Sequence, residues 1–455
     1  MKSVYFVSLG CPKNLVDSEL ALGFLDEAGF TLARSPALAE VIVINTCSFI
    51  HDAKKESVET ILELSEFKEK GKCRLLVVTG CLPQGYVQEL EKELPEVDLF
   101  LGTSEYERIA ELIAEAFNKK ANKRKSVIKP PVALYSERAP RVHTGPSYLG
   151  YLKISEGCNR HCSFCIIPRI RGSLRSRKIG SLVKEAKQMA EAGVKELNLV
   201  AQDLTEFGLD QRRKGLKEQK LENLLTELVK TKGIQWIRLH YVYPDDFSDQ
   251  LVETIAREKK IVKYLDIPLQ HTNDRILRAM NRKLRKRQIF SLVRKLRKRI
   301  PNITLRASII VGFPTETKAE FKELCEDLRK LRLDRVGVFT YSKEEQTKAA
   351  ELEPQISQRE KKRRERVLLK IIEKISFTKQ RALEGKEIEV LIEGESEETD
   401  FLIQARMSSQ SVGIDGHVLI NDAEDMTKLR QIKQGDFARV RITEVLSHDL
   451  IGKLI

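Results

Sequence analysis

Three apolar, β-rich runs near the start of the chain, SVYFVSLGC, VIVINTC and RLLVVTGC, each end on a cysteine: Cys11, Cys47 and Cys81. Helical patterns follow, SELALGFLDEAG after the first and residues 54–70 after the second. Strands alternating with helices form a parallel sheet, because a parallel neighbour can be reached only by a crossover. Ligands collect at the carboxyl ends of such strands. Three thiols at the ends of three adjacent strands therefore converge on one place. Gly10 and Gly80, each just before a cysteine, permit the tight backbone that a metal-binding loop needs. Buried core cysteines are common, but three strand-terminal placements out of three favour a cluster-binding set that is one ligand short. Cys73 and Cys325 share no such context and read as ordinary thiols.

A second set lies in EGCNRHCSFCIIPRIRG, where Cys158, Cys162 and Cys165 follow the spacing C-x3-C-x2-C. Thiolates this close together can face one iron–sulfur cube while its fourth iron keeps no protein ligand. Such an iron can hold and reduce a small molecule, whereas four cysteines would close the cluster into an electron carrier. Structural zinc also uses short cysteine spacings, but it wants a fourth ligand. His161, the only local candidate, is badly placed between its neighbours.

With 455 residues the chain has room for two to four domains. No charged segment followed by a long apolar run opens it, and no stretch approaches the ~20 apolar residues of a membrane span. Eight cysteines in such a chain point to ligands rather than disulfides, and to a cytoplasmic location. The formal net charge of +14 suggests contact with something anionic.

The fold expected is α/β in three parts. Residues 1–118 form a parallel-sheet domain, and 119–147, rich in Lys, Arg and Pro, a linker. Residues 148–383 carry six strand–helix units: YLKISEG, ELNLVAQD, WIRLHYVYP, VKYLDIPLQ, TLRASIIVGFP and RVGVFTYS begin them. Six units make a partial (β/α)6 barrel, with chemistry at the carboxyl ends of the strands. Cys158 lies just past the first. A charged amphipathic helix from Gln358 to Leu383 follows, and its KKRRER run reads as a solvated face. Residues 384–455 change to short strands with Gly turns, EIEVLIEG, HVLIND and FARVRITEV, as in a small antiparallel, OB-like barrel.

The whole chain resembles the methylthiotransferase family of radical S-adenosylmethionine (SAM) enzymes. The motifs that carry the likeness are SLGCPKNLVDSE, INTCSFI, TGCLPQ and GCNRHCSFCIIPRIRG, with IPLQHTNDRILRAMNR from Ile267 and IIVGFPTET from Ile309. The terminal VGIDGHVLI and HDLIG match a TRAM domain, although Ala405–Arg406 stands where TRAM segments often read GR. The tRNA-modifying members typically read GCQMN and PxQSGS. Here GCPKN and PLQHTN resemble instead the members that methylthiolate an aspartate of the small-subunit ribosomal protein S-twelve.

That resemblance implies two [4Fe–4S] clusters, one on Cys11, Cys47 and Cys81 and one on Cys158, Cys162 and Cys165, with SAM at the second. It implies an electron donor and a sulfur source without identifying either. Glu156, Gln202 and Asp203, at the ends of the first two barrel strands, become candidates to touch SAM or substrate, as does Gly312, where backbone can approach adenosine. His271 reads as a structural hydrogen-bonding residue. No catalytic acid or base stands out. From Glu387 onward 14 acidic residues face 7 basic ones, which suits a basic protein partner better than RNA. A tRNA methylthiotransferase and a non-catalytic iron–sulfur RNA-binding protein are the competing readings.

Overall fold

A computed structural model describes residues 2–118, 125–396 and 399–455. The first sheet holds β1 (Ser3–Ser8), β2 (Thr31–Leu32), β3 (Val41–Thr46), β4 (Leu75–Gly80), β5 (Leu99–Leu101) and β6 (Lys125–Val127). They are all parallel, in the order β2-β1-β3-β4-β5-β6. Every residue of β3 and β4 is buried, as expected of central strands covered by helices on both faces. β6 comes from the segment read as a linker, whose residues 119–124 lie outside the described part. The rest of that segment runs back over the molecule, where Arg141 reaches Glu19 at 2.6 Å and Glu185 at 2.8 Å.

The second sheet is built from β7 (Leu149–Lys153), β10 (Glu196–Val200), β11 (Trp236–Leu239), β12 (Ile261–Gln270), β13 (Thr304–Val311) and β14 (Arg335–Thr340). A short ribbon of β8 (Ser155–Glu156) and β9 (Arg175–Ser176) lies beside β7 in the chain. All six main strands are parallel in the order β14-β13-β12-β11-β10-β7, so the barrel is open between β7 and β14. The first domain binds at both of those edges. Its helix Pro12–Glu27 lies on β7, while Lys54 pairs with Glu344 just beyond β14 and Tyr86 donates to the same carboxylate at 3.1 Å. No helix among the described residues is long and apolar enough to cross a membrane.

The third unit is a closed barrel of β15 (Glu387–Ser396), β16 (Thr399–Met407), β17 (Val418–Ala423), β18 (Phe437–Val445) and β19 (Leu450–Leu454). It is antiparallel except where β17 runs parallel to β19. Its contact with the open barrel combines buried charge with an apolar cluster that includes Trp236, Tyr264 and Leu391. Glu196, at the start of β10, accepts from Arg406 of β16 at 2.5 Å and from Arg238 of β11 at 2.7 Å; all three are 0% exposed. Tyr264 of β12 donates to Asp415 at 2.5 Å, and Trp236 meets Phe437 edge-on at 4.9 Å. Arg406 is thus spent on docking rather than presented to a partner.

Burial alone would raise the Glu196 carboxyl, but the two guanidiniums outweigh it and hold it at about 2. Because the folded value is depressed, the stabilisation is complete above the ordinary value of 4.5 and is lost as pH falls towards 2. Removing the carboxylate leaves two buried cations unpaired, which costs about 3–5 kcal/mol. Glu196→Ala should accordingly lower the urea midpoint read by fluorescence of Trp236, the single tryptophan, which sits in this contact. An unchanged midpoint would show that apolar packing alone holds the third unit.

Candidate active site

Cys11, Cys47 and Cys81 stand at the carboxyl ends of β1, β3 and β4, which are adjacent in the sheet. Cys11 caps the helix Pro12–Glu27, and Cys81 opens the helix Cys81–Glu93. Gly10, at φ +90°, has no room for a side chain: a Cβ would lie 2.6 Å from that of Cys47. Gly80, at φ +100°, is equally crowded by Asn45 and Thr46. Cys47 feels the charge of Cys11, and Cys81 that of both. Burial pushes the Cys81 thiol up to about 12, even though Arg171 donates to its Sγ at 3.2 Å. Cys11, which burial alone would raise, is drawn below its ordinary value by the Lys13 ammonium and by backbone N–H groups of Asn14 and Lys13.

Cys158, Cys162 and Cys165 occupy the loop after β8, at the matching end of the open barrel. Burial raises Cys158 well above the ordinary thiol range and Cys165 to about 12. The loop is held from three sides. Ser163 bonds the carbonyls of Ala279 and Met280 through its Oγ donation at 2.7 Å and its backbone N–H at 3.1 Å. Arg160 is gripped by Asp203 at 2.9 Å and Glu206 at 3.4 Å. Arg282 lies 3.7 Å from the Cys162 Sγ, and its guanidinium and that of Arg160 both stack on Tyr243, at 3.8 and 4.0 Å. His161 is exposed, as befits a residue that is no fourth ligand.

The two trios come near one another, since Cys81 packs with Ile166 and Ile170, just past Cys165, and accepts from Arg171 at 3.2 Å. The Lys13 ammonium acts on Cys11 and Cys47 of one and on Cys165 of the other. A buried charge network joins the domains beside them. Lys153 pairs with Asp17 and with Glu156 (2.7 Å), while Arg171 pairs with Asp17 and bonds Asn14 at 3.0 Å in addition to Cys81. Gln202 donates to Glu156 at 2.6 Å. Burial would raise the Glu156 carboxyl, but Lys153 and Arg171 prevail and set it at about 2.

The four non-cysteine candidates fare differently. Both Glu156 oxygens are engaged within the barrel, by Lys153 and Gln202, and Asp203 spends its carboxylate on Arg160 and Thr205. Gln202 keeps a buried Oε1 with no hydrogen-bond partner. Gly312, at φ +70°, faces the aliphatic part of Lys361, 2.4 Å from where a Cβ would be, so packing of the helix Gln358–Arg381 accounts for the glycine. His271 is buried, accepts from the Asn273 N–H through Nδ1 at 2.9 Å, and has Glu316 3.5 Å from Nε2, which is a structural role. Cys73 and Cys325 lie in apolar cores. Sequence reasoning missed Lys13, Asp17, Lys153, Arg171, Tyr243 and Arg282; only their presence inside quoted motifs, Lys13 in GCPKN and Arg282 at the end of LRAMNR, could have flagged any of them.

Among the described residues no three His, Cys, Asp or Glu side chains gather closely enough for a single metal ion. A cube is wider than an ion, and its thiolates stand correspondingly apart. The donor chemistry fits one at each trio: three thiols each, with Arg171 and Lys13 or Arg282 beside them to offset the negative charge that thiolate ligation brings.

A model of the radical SAM superfamily matches residues 152–328, one of the uncharacterized protein family UPF0004 matches 3–102, and one of the TRAM domain matches 385–455. Fold and site therefore define a radical SAM transferase with a cysteine-bearing α/β domain in front and a TRAM domain behind. Among curated relatives, the ribosomal protein uS12 methylthiotransferase RimO of Citrifermentans bemidjiense is 46% identical over 100% of this chain and 98% of its own. That of Geotalea uraniireducens is 48% identical over 100% and 98%. The chain belongs to the RimO family of methylthiotransferases, with two [4Fe–4S] clusters and SAM as its cofactors. Among solved structures, the radical SAM methyltransferase TsrM from Kitasatospora setae superimposes with a TM-score of 0.55 at 16% identity, covering 77% of each chain. The cobalamin-dependent radical SAM enzyme OxsB gives 0.51 at 12% identity, over 82% of this chain and 56% of its own. Both likenesses concern the fold.

Proposed function

We propose that this protein attaches a methylthio group to the β-carbon of an aspartate in the small-subunit ribosomal protein uS12, in the cytoplasm. Cys158, Cys162 and Cys165 hold the cluster that binds SAM, and Cys11, Cys47 and Cys81 hold the second. The observation that carries the reading is the closeness of the two cysteine trios, Cys81 packing on Ile166 and Ile170 beside Cys165, since sulfur transfer to an unactivated carbon needs both functions at one place. When bound, the clusters and SAM supply electron transfer, carbon–hydrogen activation and the methylthio group. The chain itself fixes their spacing. Asp17, Lys153, Glu156 and Arg171 lock the two domains together, and Asp203 and Tyr243 orient Arg160 within the barrel-cluster loop. Gln202 offers its unpartnered Oε1 to a donor group of SAM.

Mass spectrometry of ribosomal protein and tRNA from cells lacking the gene tests the assignment. The methylthio mass should vanish from the ribosomal protein and persist on tRNA. The opposite result would establish the tRNA reading, which the net charge of +14 favours.

Charge at the C-terminal barrel supports a protein partner. Three of its seven basic residues are occupied: Arg406 is buried, Arg441 pairs with Glu387 and Glu424, and Lys453 pairs with Asp422. The acidic run from Glu393 to Asp400 includes Glu397 and Glu398, which lie outside the described residues. Reversing Glu395, Glu397, Glu398 and Asp400 to Lys should slow association with the basic ribosomal protein about tenfold at low salt. The difference should shrink at high salt, as exposed charges are screened over ~8 Å at physiological ionic strength. Stopped-flow rates against salt, with tRNA as control, provide the check; faster turnover on tRNA would count for the other reading.

A further inference from the structure

Of the cations around the two trios, all but one pair with a carboxylate or carbonyl of the chain. Lys153, Arg160 and Arg171 each hold carboxylates of the chain, and Arg282 is taken up by the carbonyl of Pro268 and the Cys162 side of its loop. Lys13 differs. Its ammonium lies 3.5 Å from the centre of the Tyr241 ring, hydrogen-bonds that side chain and sits near the Cys11 thiol, but among the described residues no carboxylate pairs with it.

The ring beneath it is placed by an unusual backbone. Tyr241 follows β11 at the carboxyl end of the barrel, with φ at +60°, a region that a bulky side chain rarely adopts. Such a conformation costs about 1–3 kcal/mol and persists only where surrounding structure enforces it. Here the enforcement comes from neighbouring strand ends: the Tyr241 carbonyl accepts from Leu204 N–H at 3.1 Å, and the next N–H, of Val242, reaches the Asp266 carbonyl at 2.8 Å. Lys13 comes from the α/β domain and Tyr241 from the barrel, so the pair forms only when the two domains are docked.

A carboxylate entering a buried site must meet a cation, because its desolvation otherwise costs several kcal/mol. An aspartate carries its carboxylate directly on the carbon that receives sulfur. Resting on the substrate assignment above, we propose that Lys13 is the carboxylate receptor of the active site. Its ammonium, seated on Tyr241 of the barrel and two residues from Cys11, pairs with the side chain of the substrate aspartate and so presents the adjacent carbon to the clusters. Lys13 is then a binding and specificity residue: it selects aspartate over asparagine, its neutral isostere.

The test is a binding cycle on reconstituted holoenzyme, with dissociation constants measured for the ribosomal protein and for a form carrying asparagine at the target position. The parent should prefer the aspartate form by about tenfold or more, the usual worth of a charge-assisted contact. Lys13→Met, similar in length but uncharged, should bind both forms equally, and Lys13→Arg should restore a preference. Iron content is measured in every variant. A preference that survives unchanged in Lys13→Met overturns the proposal, as does loss of iron from that variant, which would assign Lys13 to holding a cluster. If the parent neither binds nor methylthiolates the ribosomal protein, the substrate assignment itself fails and this inference falls with it; a parent that acts on the ribosomal protein while ignoring Lys13 removes only the inference.

Discussion

Protein in which Cys158, Cys162 and Cys165 are all changed to Ala should lose about half its iron and all reductive cleavage of SAM. Two clusters on separate trios bring about eight irons to the parent after anaerobic reconstitution, so the barrel trio accounts for four of them. The remaining iron should stay, because the cysteines after β1, β3 and β4 hang on a different sheet with its own apolar core. Iron analysis and assay of 5′-deoxyadenosine provide the two readings. A triple variant that kept its full iron would show that the trios do not hold separate clusters.

Changing Cys11, Cys47 and Cys81 to Ala should produce the converse separation. SAM cleavage should continue, since the barrel loop keeps its supports in Asp203, Tyr243 and the carbonyls of Ala279 and Met280. Methylthio transfer should stop altogether. Arg171 would lose its Sγ acceptor but retain Asp17 and Asn14, so the docking of the domains should survive. Liquid chromatography of the nucleoside product beside mass analysis of the ribosomal protein measures both halves at once. Methylthiolation that persisted in this variant would reduce the second cluster to a structural element.

Much of the architecture was legible in residue pattern. Central parallel strands are buried on both faces and read as apolar runs, which is why β10, β11 and β12 of the barrel could be named from the chain. Cys11, Cys47 and Cys81 stood out for the same reason, as each punctuates such a run. Edge and closing strands were harder. β6 is three residues after a lysine-rich stretch, and β19 carries Gly452 and Lys453 in a five-residue span, so neither has a strong pattern. The charge network was illegible, because a buried lysine looks like an exposed one in sequence and its partner may be anywhere. Lys153 and Asp17 are 136 positions apart. Glu156 and Asp203 were correctly placed at strand ends, yet their carboxylates serve the protein's own arginines and lysines. A glycine at a loop, such as Gly312, similarly reads alike whether a ligand or a helix fills the space beside it.

The docking of the C-terminal barrel through Arg406, Glu196 and Arg238 turns a module that could have swung on a tether into a fixed outrigger. A tethered domain raises local concentration and lets its cargo search many orientations. A clamped one works as a gauge: it accepts only a target whose docking patch and reactive residue lie at one set offset. Selectivity for a single residue then becomes a matter of distance measured across the whole molecule, with a buried glutamate keeping the calibration.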